Sequence, residues 1–111
     1  MSRLILAAFL SAAVAGCANV NDLRKKDPVF VATTAKTPEA YAECLAQGWR
    51  GEGAEVQVQK IRNGFDIYTE GSFNVEEVTR VQHYDGKTHV NMYTRLKYRT
   101  QQYMQAANLC L

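Results

Sequence analysis

Val75-Glu76-Glu77-Val78-Thr79-Arg80-Val81-Gln82-His83-Tyr84-Asp85-Gly86-Lys87-Thr88-His89-Val90-Asn91-Met92-Tyr93-Thr94 is the stretch that decides the fold. Asp85-Gly86 suits the two positive φ values of a type I′ turn, and apolar residues alternate with polar ones on both sides of it. With a two-residue turn Tyr84 faces Lys87, which sets Val81 opposite Val90, Thr79 opposite Met92, Glu77 opposite Thr94 and Val75 opposite Leu96. Phe73 and Tyr98 continue that face, while the other face pairs Val78 with Tyr93, Arg80 with Asn91 and Glu76 with Arg95. This register gathers the large aliphatic side chains on one side, and a slip of one residue would scatter them. Glu77 is the misfit, and it predicts a rim position or a bulge.

Working outward, Val56 and Val58 alternate with Gln57 and Gln59, and Phe65 and Ile67 alternate with Asp66 and Tyr68 beyond Asn63-Gly64. That dipeptide predicts another I′ hairpin, with Arg62 opposite Phe65, Lys60 opposite Ile67 and Val58 opposite Thr69. Ile61 then falls on the polar face unless a bulge intervenes. Before the strands, Thr37-Pro38-Glu39 has the order of a helix start: a capping hydroxyl, proline at the first helical position, then an acid beside the free amides. Ala40, Tyr41, Cys44 and Leu45 form an apolar stripe, and Gly48 predicts a left-handed stop, so the helix is expected over 37–47. After the strands, Tyr103, Ala106, Ala107 and Cys110 return to helical spacing from about Thr100 to Leu109. The expected fold class is α+β: a two-layer sandwich of N-terminal helix, four-stranded antiparallel meander and C-terminal helix, both helices on the same sheet face.

The chain has 111 residues, 47% of them apolar and 22% charged, with a formal net charge of +2. This excludes a multi-domain protein and argues against a nucleic-acid binder driven by bulk charge, since the basic groups are scattered. The first 16 residues hold twelve apolar side chains and one charge, Arg3. A basic start, an apolar run from Leu4 to Leu10 and a tail of small residues read as a secretory signal, too short for a spanning helix. Val14-Ala15-Gly16-Cys17 resembles the lipobox of bacterial lipoproteins. The resemblance covers only the first 18 residues, and it implies cleavage before Cys17, acylation of that residue and attachment to a membrane. Ala18, where retained inner-membrane members of the class often carry Asp, implies an outer-membrane destination facing the periplasm. The expected organisation is a signal over 1–16, an acylated Cys17 with a flexible tether over 17–36, and one domain over 37–111. Within the tether, Arg24-Lys25-Lys26 is expected in solvent or near lipid head groups, and Val29-Phe30-Val31 is its one candidate for an edge strand or a core contact.

The lipobox also settles the cysteine count. With Cys17 given to lipid, Cys44 and Cys110 remain, both on apolar helical stripes, and export to an oxidising compartment predicts a disulfide between them.

A search for chemistry is mostly negative. There is no glycine-rich phosphate loop, no Cys-x-x-Cys and no His-Glu-x-x-His. His83 and His89 fall on opposite faces of the expected hairpin, and Glu76 and Glu77 diverge in the same way. No metal, cofactor or catalytic residue is expected, and nucleic acid is not an expected partner. What remains is the polar sheet face, where Tyr68, Arg80, Tyr84, Tyr93 and Arg95 are the candidate partner-binding residues, tyrosine and arginine being the types that dominate interface hot spots. They share that face with Gln57, Gln59, Val78, Lys87, His89, Asn91 and Lys97. The expected function is a lipid-anchored, non-catalytic binding or scaffolding module, with an envelope protein or a second copy as partner. One alternative is an inhibitor of a cell-wall hydrolase such as lysozyme, with Trp49 and Arg50 in a Gly48–Glu55 loop as the plug. Another is an outer-membrane assembly accessory, which no motif selects.

Overall fold

The computed structural model describes residues 20–71, 74–95 and 100–111. Residues 1–16, Cys17, Ala18, Phe73, Leu96, Lys97 and Tyr98, which carry the signal, the lipidation site and part of the second hairpin's expected pairing, lie outside them. The described chain is an α+β domain in which helices flank a five-stranded antiparallel sheet of order β1-β5-β4-β3-β2. Its elements are a helical turn α1 (20–24), β1 (Phe30–Thr34), α2 (Pro38–Gly51), β2 (Val56–Ile61), β3 (Gly64–Glu70), β4 (Val75–Tyr84), β5 (Lys87–Thr94) and α3 (Thr100–Leu109).

The β4–β5 hairpin has the register that the sequence predicts: Tyr84 opposite Lys87, Val81 opposite Val90, Thr79 opposite Met92 and Glu77 opposite Thr94. Asp85 and Gly86 both take positive φ, 53° and 73°, as a I′ turn requires. The β2–β3 hairpin differs by two residues. Arg62 and Asn63 form its turn, Asn63 at φ 61°, so Lys60 faces Phe65 and Val58 faces Ile67. Gly64 is not a turn residue but the first rung of β3, because a Cβ there would lie 1.8 Å from the Val81 carbonyl oxygen. Only glycine lets the two backbones come so close. The slip is even-numbered, so every side chain keeps its face. Ile61 stays on the polar side, half-buried opposite Gly64, with no bulge.

A bulge does occur beside Glu77, one of the two outcomes that its misfit predicts. Thr69 pairs with Glu77 but Glu70 pairs with Val75, leaving Glu76 as the extra residue. The extra residue turns Val75 over, away from the face it was expected to share with Val81 and onto the face of Val78. Glu77 keeps its inward position and is fully buried rather than at the rim. Thr69 resolves the conflict: its hydroxyl donates to Glu77 Oε2 and accepts from the Glu77 amide.

The expected four-strand meander and flexible tether need one joint correction. Phe30–Thr34, inside the stretch read as tether, pairs with β5 along its whole length, Phe30 opposite Met92 through Thr34 opposite Thr88. Its alternation places Phe30 and Ala32 beside Met92 and Val90 on the helix side. Val29-Phe30-Val31 carries the candidate edge strand, but the weak pattern of Ala32-Thr33-Thr34 hides its extension and its partner β5.

Two cores result. The larger lies between the sheet and the helix pair α2 and α3, and joins Tyr41, Leu45, Trp49, Ile67, Val81, Val90, Met92, Tyr103 and Ala107. The Thr37 hydroxyl caps α2 by accepting from the Ala40 amide at 3.1 Å. The helix passes the expected stop at Gly48, where it crosses α3 so closely that a Cβ would sit 3.2 Å from that of Ala106. Gly53, at φ 86°, supplies the left-handed turn instead. Cys44 and Cys110 are bonded, Cα to Cα 5.8 Å, and the Tyr41 hydroxyl donates to the Ala107 carbonyl at 2.7 Å. The smaller core lies on the opposite face, where Val20 and Leu23 of α1 cover Val75 and Val78 between Tyr68 and Tyr93.

Candidate functional site

The polar sheet face is built by the even-numbered residues of β3, those of β4 from Val78 onward, and the odd-numbered residues of β1, β2 and β5, as alternation dictates, with Val75 added by the bulge. It is not uniformly open. At one end α1 buries Val78 completely and leaves Tyr68 and Tyr93 half-buried, packed against the small core. Both tyrosines therefore serve first as walls for Leu23. The Arg80 guanidinium spans the middle, donating through Nε to Asp66 Oδ1 at 2.8 Å and through Nη2 to Asp66 Oδ2 at 2.7 Å. Asp66 is only 2% exposed, and these bonds hold the Arg80 pKa above its ordinary value. A paired, two-pronged arrangement of this kind orients both side chains rigidly. Arg95 is bound to the bulge: its amide donates to the Glu76 carbonyl at 2.7 Å and its Nε to the Val75 carbonyl at 3.0 Å.

The open end lies near the Asp85-Gly86 turn. Tyr84 is 45% exposed and stacks on His89, ring centroids 3.7 Å apart and nearly parallel, while His89 Nε2 sits 3.1 Å from the Tyr84 carbonyl. β1 extends this surface with Val31, 67% exposed and opposite Asn91, and Thr33, opposite His89. Lys87 borders it. A flat aromatic stack beside a β-branched side chain, amides and one cation suits a protein surface, since it offers apolar area with hydrogen-bonding rims. Val31 was missed as a site residue because its face depends on pairing with β5. The sequence had flagged Val29-Phe30-Val31 only as a possible strand.

The remaining candidates lie elsewhere. Trp49 is fully buried, its ring edge-on to Tyr103 at 5.4 Å and its Nε1 donating to the Tyr103 carbonyl at 3.2 Å. With α2 helical through Gly51, the expected Gly48–Glu55 loop shrinks to its last residues, and Trp49 faces the core instead of a partner. The Arg50 Nη2 donates to the Val56 carbonyl at 3.2 Å, at the edge of β2. His83 lies on the helix side, 3.3 Å from the Thr88 hydroxyl, with the sheet between it and His89.

Surface relief is shallow. One cleft of about 290 Å³ is bordered by Thr33, Thr34, His83, Lys87 and Thr88, and another of about 370 Å³ by Glu55, Glu70, Glu76, Thr69 and Tyr103. Among the described residues no three His, Cys, Asp or Glu side chains are grouped to hold a metal, and no helix is long and apolar enough to cross a membrane. Comparison with protein-family models, with curated proteins and with solved structures returned no match.

Proposed function

We propose that this protein is a lipid-anchored binding module of the bacterial envelope, attached through Cys17 to the outer membrane and facing the periplasm, with no catalytic role. The observation that carries the reading is the use of its cysteines. Cys44 and Cys110 are bonded to each other. The third, Cys17, follows Val14-Ala15-Gly16, the lipobox-like run. An intramolecular disulfide fits an oxidising compartment, and an acylated cysteine fits the leftover thiol. The binding surface is the open end of the polar sheet face, with Tyr84, His89 and Thr33 at its centre and Val31 at its border. Its partner is an envelope protein, met at a fixed height above the lipid.

The test is the intact mass of the mature protein from membranes. The expected species begins at Cys17, carries acyl chains and lacks two hydrogens for one disulfide. Cys17→Ala removes the acyl mass and releases the protein from the membrane fraction. A mature chain that begins elsewhere, or that carries no acyl mass, overturns the anchor. For the surface, a photoreactive residue in place of Val31 is expected to crosslink a distinct envelope protein, and Tyr84→Ala with His89→Ala to abolish the product. A crosslink unchanged by that pair of substitutions excludes the open end as the contact.

A further inference from the structure

The strand β2 lies at one end of the sheet, with no strand paired beyond it among the described residues. Gln57, Val58, Gln59 and Lys60 are all exposed, and Val58 is 44% so. Edge strands are normally blunted by proline, a bulge or outward charges. β2 has no proline and pairs with β3 without a bulge. Its one charge, Lys60, holds its ammonium 5.5 Å from the centre of the Phe65 ring, over the sheet.

Main-chain directions can be read from two contacts. The Glu55 carbonyl accepts from the Glu70 amide at 3.4 Å, so residue 55 points toward β3, and alternation gives the same direction to 57, 59 and 61. Val56, Val58 and Lys60 therefore point their amides and carbonyls outward. The Val56 carbonyl meets Arg50 Nη2 on that outer side, in agreement with this direction. The row is short and nearly symmetric about Val58, open from Gln57 to Lys60 and bordered by the Arg50 side chain at its Val56 end.

We infer that two copies of this chain join through β2, antiparallel about a two-fold axis at Val58, making one continuous sheet. At the axis each Val58 amide donates to the Val58 carbonyl of the other copy. On either side the Val56 amide donates to the Lys60 carbonyl of the second copy, and the Lys60 amide to the Val56 carbonyl, whose second lone pair remains beside Arg50. Gln57 faces Gln59 of the second copy, and the two carboxamides match as donor and acceptor. The two Lys60 ammonium groups lie four residues apart along the strand pair, so no like charges meet. This self-complementarity selects a second copy over an unrelated extended segment, which would need flanking pockets for its side chains. The pairing does not depend on the lipid anchor, and both can be tested on the same protein.

Sedimentation of the full chain in detergent solution is the experiment. The wild type is expected to show a reversible monomer–dimer equilibrium. Val58→Lys sets two charges against each other at the axis and is expected to raise the dimer dissociation constant about tenfold or more. Val58→Glu does the same alone, and an equal mixture of the two variants restores the dimer. As a measurement independent of charge, mixed Gln57→Cys and Gln59→Cys chains are expected to form a disulfide-linked dimer that neither variant forms well by itself. A wild type that stays monomeric up to millimolar concentration overturns the inference and leaves the edge to an extended segment of another protein. A dimer indifferent to Val58→Lys, a mixture that fails to restore it, or cysteine variants that crosslink no better together than apart would each overturn it as well.

Discussion

Replacing Leu23 with alanine separates a folded N-terminal segment from a tether. Leu23 is fully buried, with Val20, Val75 and Val78 around it and the Tyr68 and Tyr93 rings at its sides. The substitution removes three carbons from that contact, about 2.4 kcal/mol at about 0.8 kcal/mol per methylene. The unfilled space adds to this, bringing the expected loss to about 3 kcal/mol. The loss is capped by the docking energy of α1, because a short terminal segment can peel away before the sheet unfolds. For a domain of this size such a loss is a large share of the total stability. Urea unfolding followed by fluorescence of Trp49 is the assay, since Trp49 is the single tryptophan and lies in the other core. Val31→Ala, at a position 67% exposed, is the control and is expected to change stability by less than about 0.5 kcal/mol. If Leu23→Ala is as mild as Val31→Ala, residues 20–24 do not contribute to the fold and the small core has no energetic meaning.

Three other outcomes follow from the same packing. The disulfide closes a separation of 66 residues, and reducing it is expected to cost about 4 kcal/mol through the freed unfolded chain; unfolding midpoints that coincide with and without reductant would refute this. Burial holds the Tyr41 phenol well above its ordinary pKa of 10.0. Below that pH both states keep the proton and the group is neutral to stability. Above it the unfolded chain ionises first, so stability is expected to fall as pH rises past 10. Ultraviolet titration should show one tyrosine protonated until the fold is lost, and full tyrosine ionisation without unfolding would contradict this. The Thr79 hydroxyl is buried and has no hydrogen-bond partner among the described residues, between Ile67 and Met92. Thr79→Val is expected to raise stability by about 1 kcal/mol in urea unfolding, and a loss of that size would show that the hydroxyl is satisfied.

Alternation and turn chemistry made the β4–β5 hairpin legible, because one register alone gathers Val81, Val90 and Met92 on one side. The start of α2 was legible for a similar reason: capping is a contact among Thr37, Pro38, Glu39 and Ala40, which are neighbours in the chain. Where the reading failed, a residue's role depended on something far away in sequence. Gly64 and Gly48 carry the same local signal as a turn or stop glycine, yet each is set by a close approach, to Val81 in one case and Ala106 in the other. Glu77 looked misplaced until Thr69 was brought across the sheet to meet it.

The candidate surface shows the same division. Tyr68, Arg80, Tyr84 and Tyr93 were placed on one face by periodicity, but periodicity cannot say what lies over a face. Leu23 and Val20 close one end of it, β1 adds Thr33 beside His89 and Val31 in the row of Arg80, and Asp66 takes up Arg80 in the middle. Nearest-neighbour chemistry along the chain thus determined the β4–β5 hairpin, the start of α2 and which way the residues of β2, β3 and β5 point, but not Val75 beyond the bulge or Val31 in β1. Only the tertiary structure decided which of those faces stay open, because burial is a property of what packs on top, and that is chosen by segments tens of residues away.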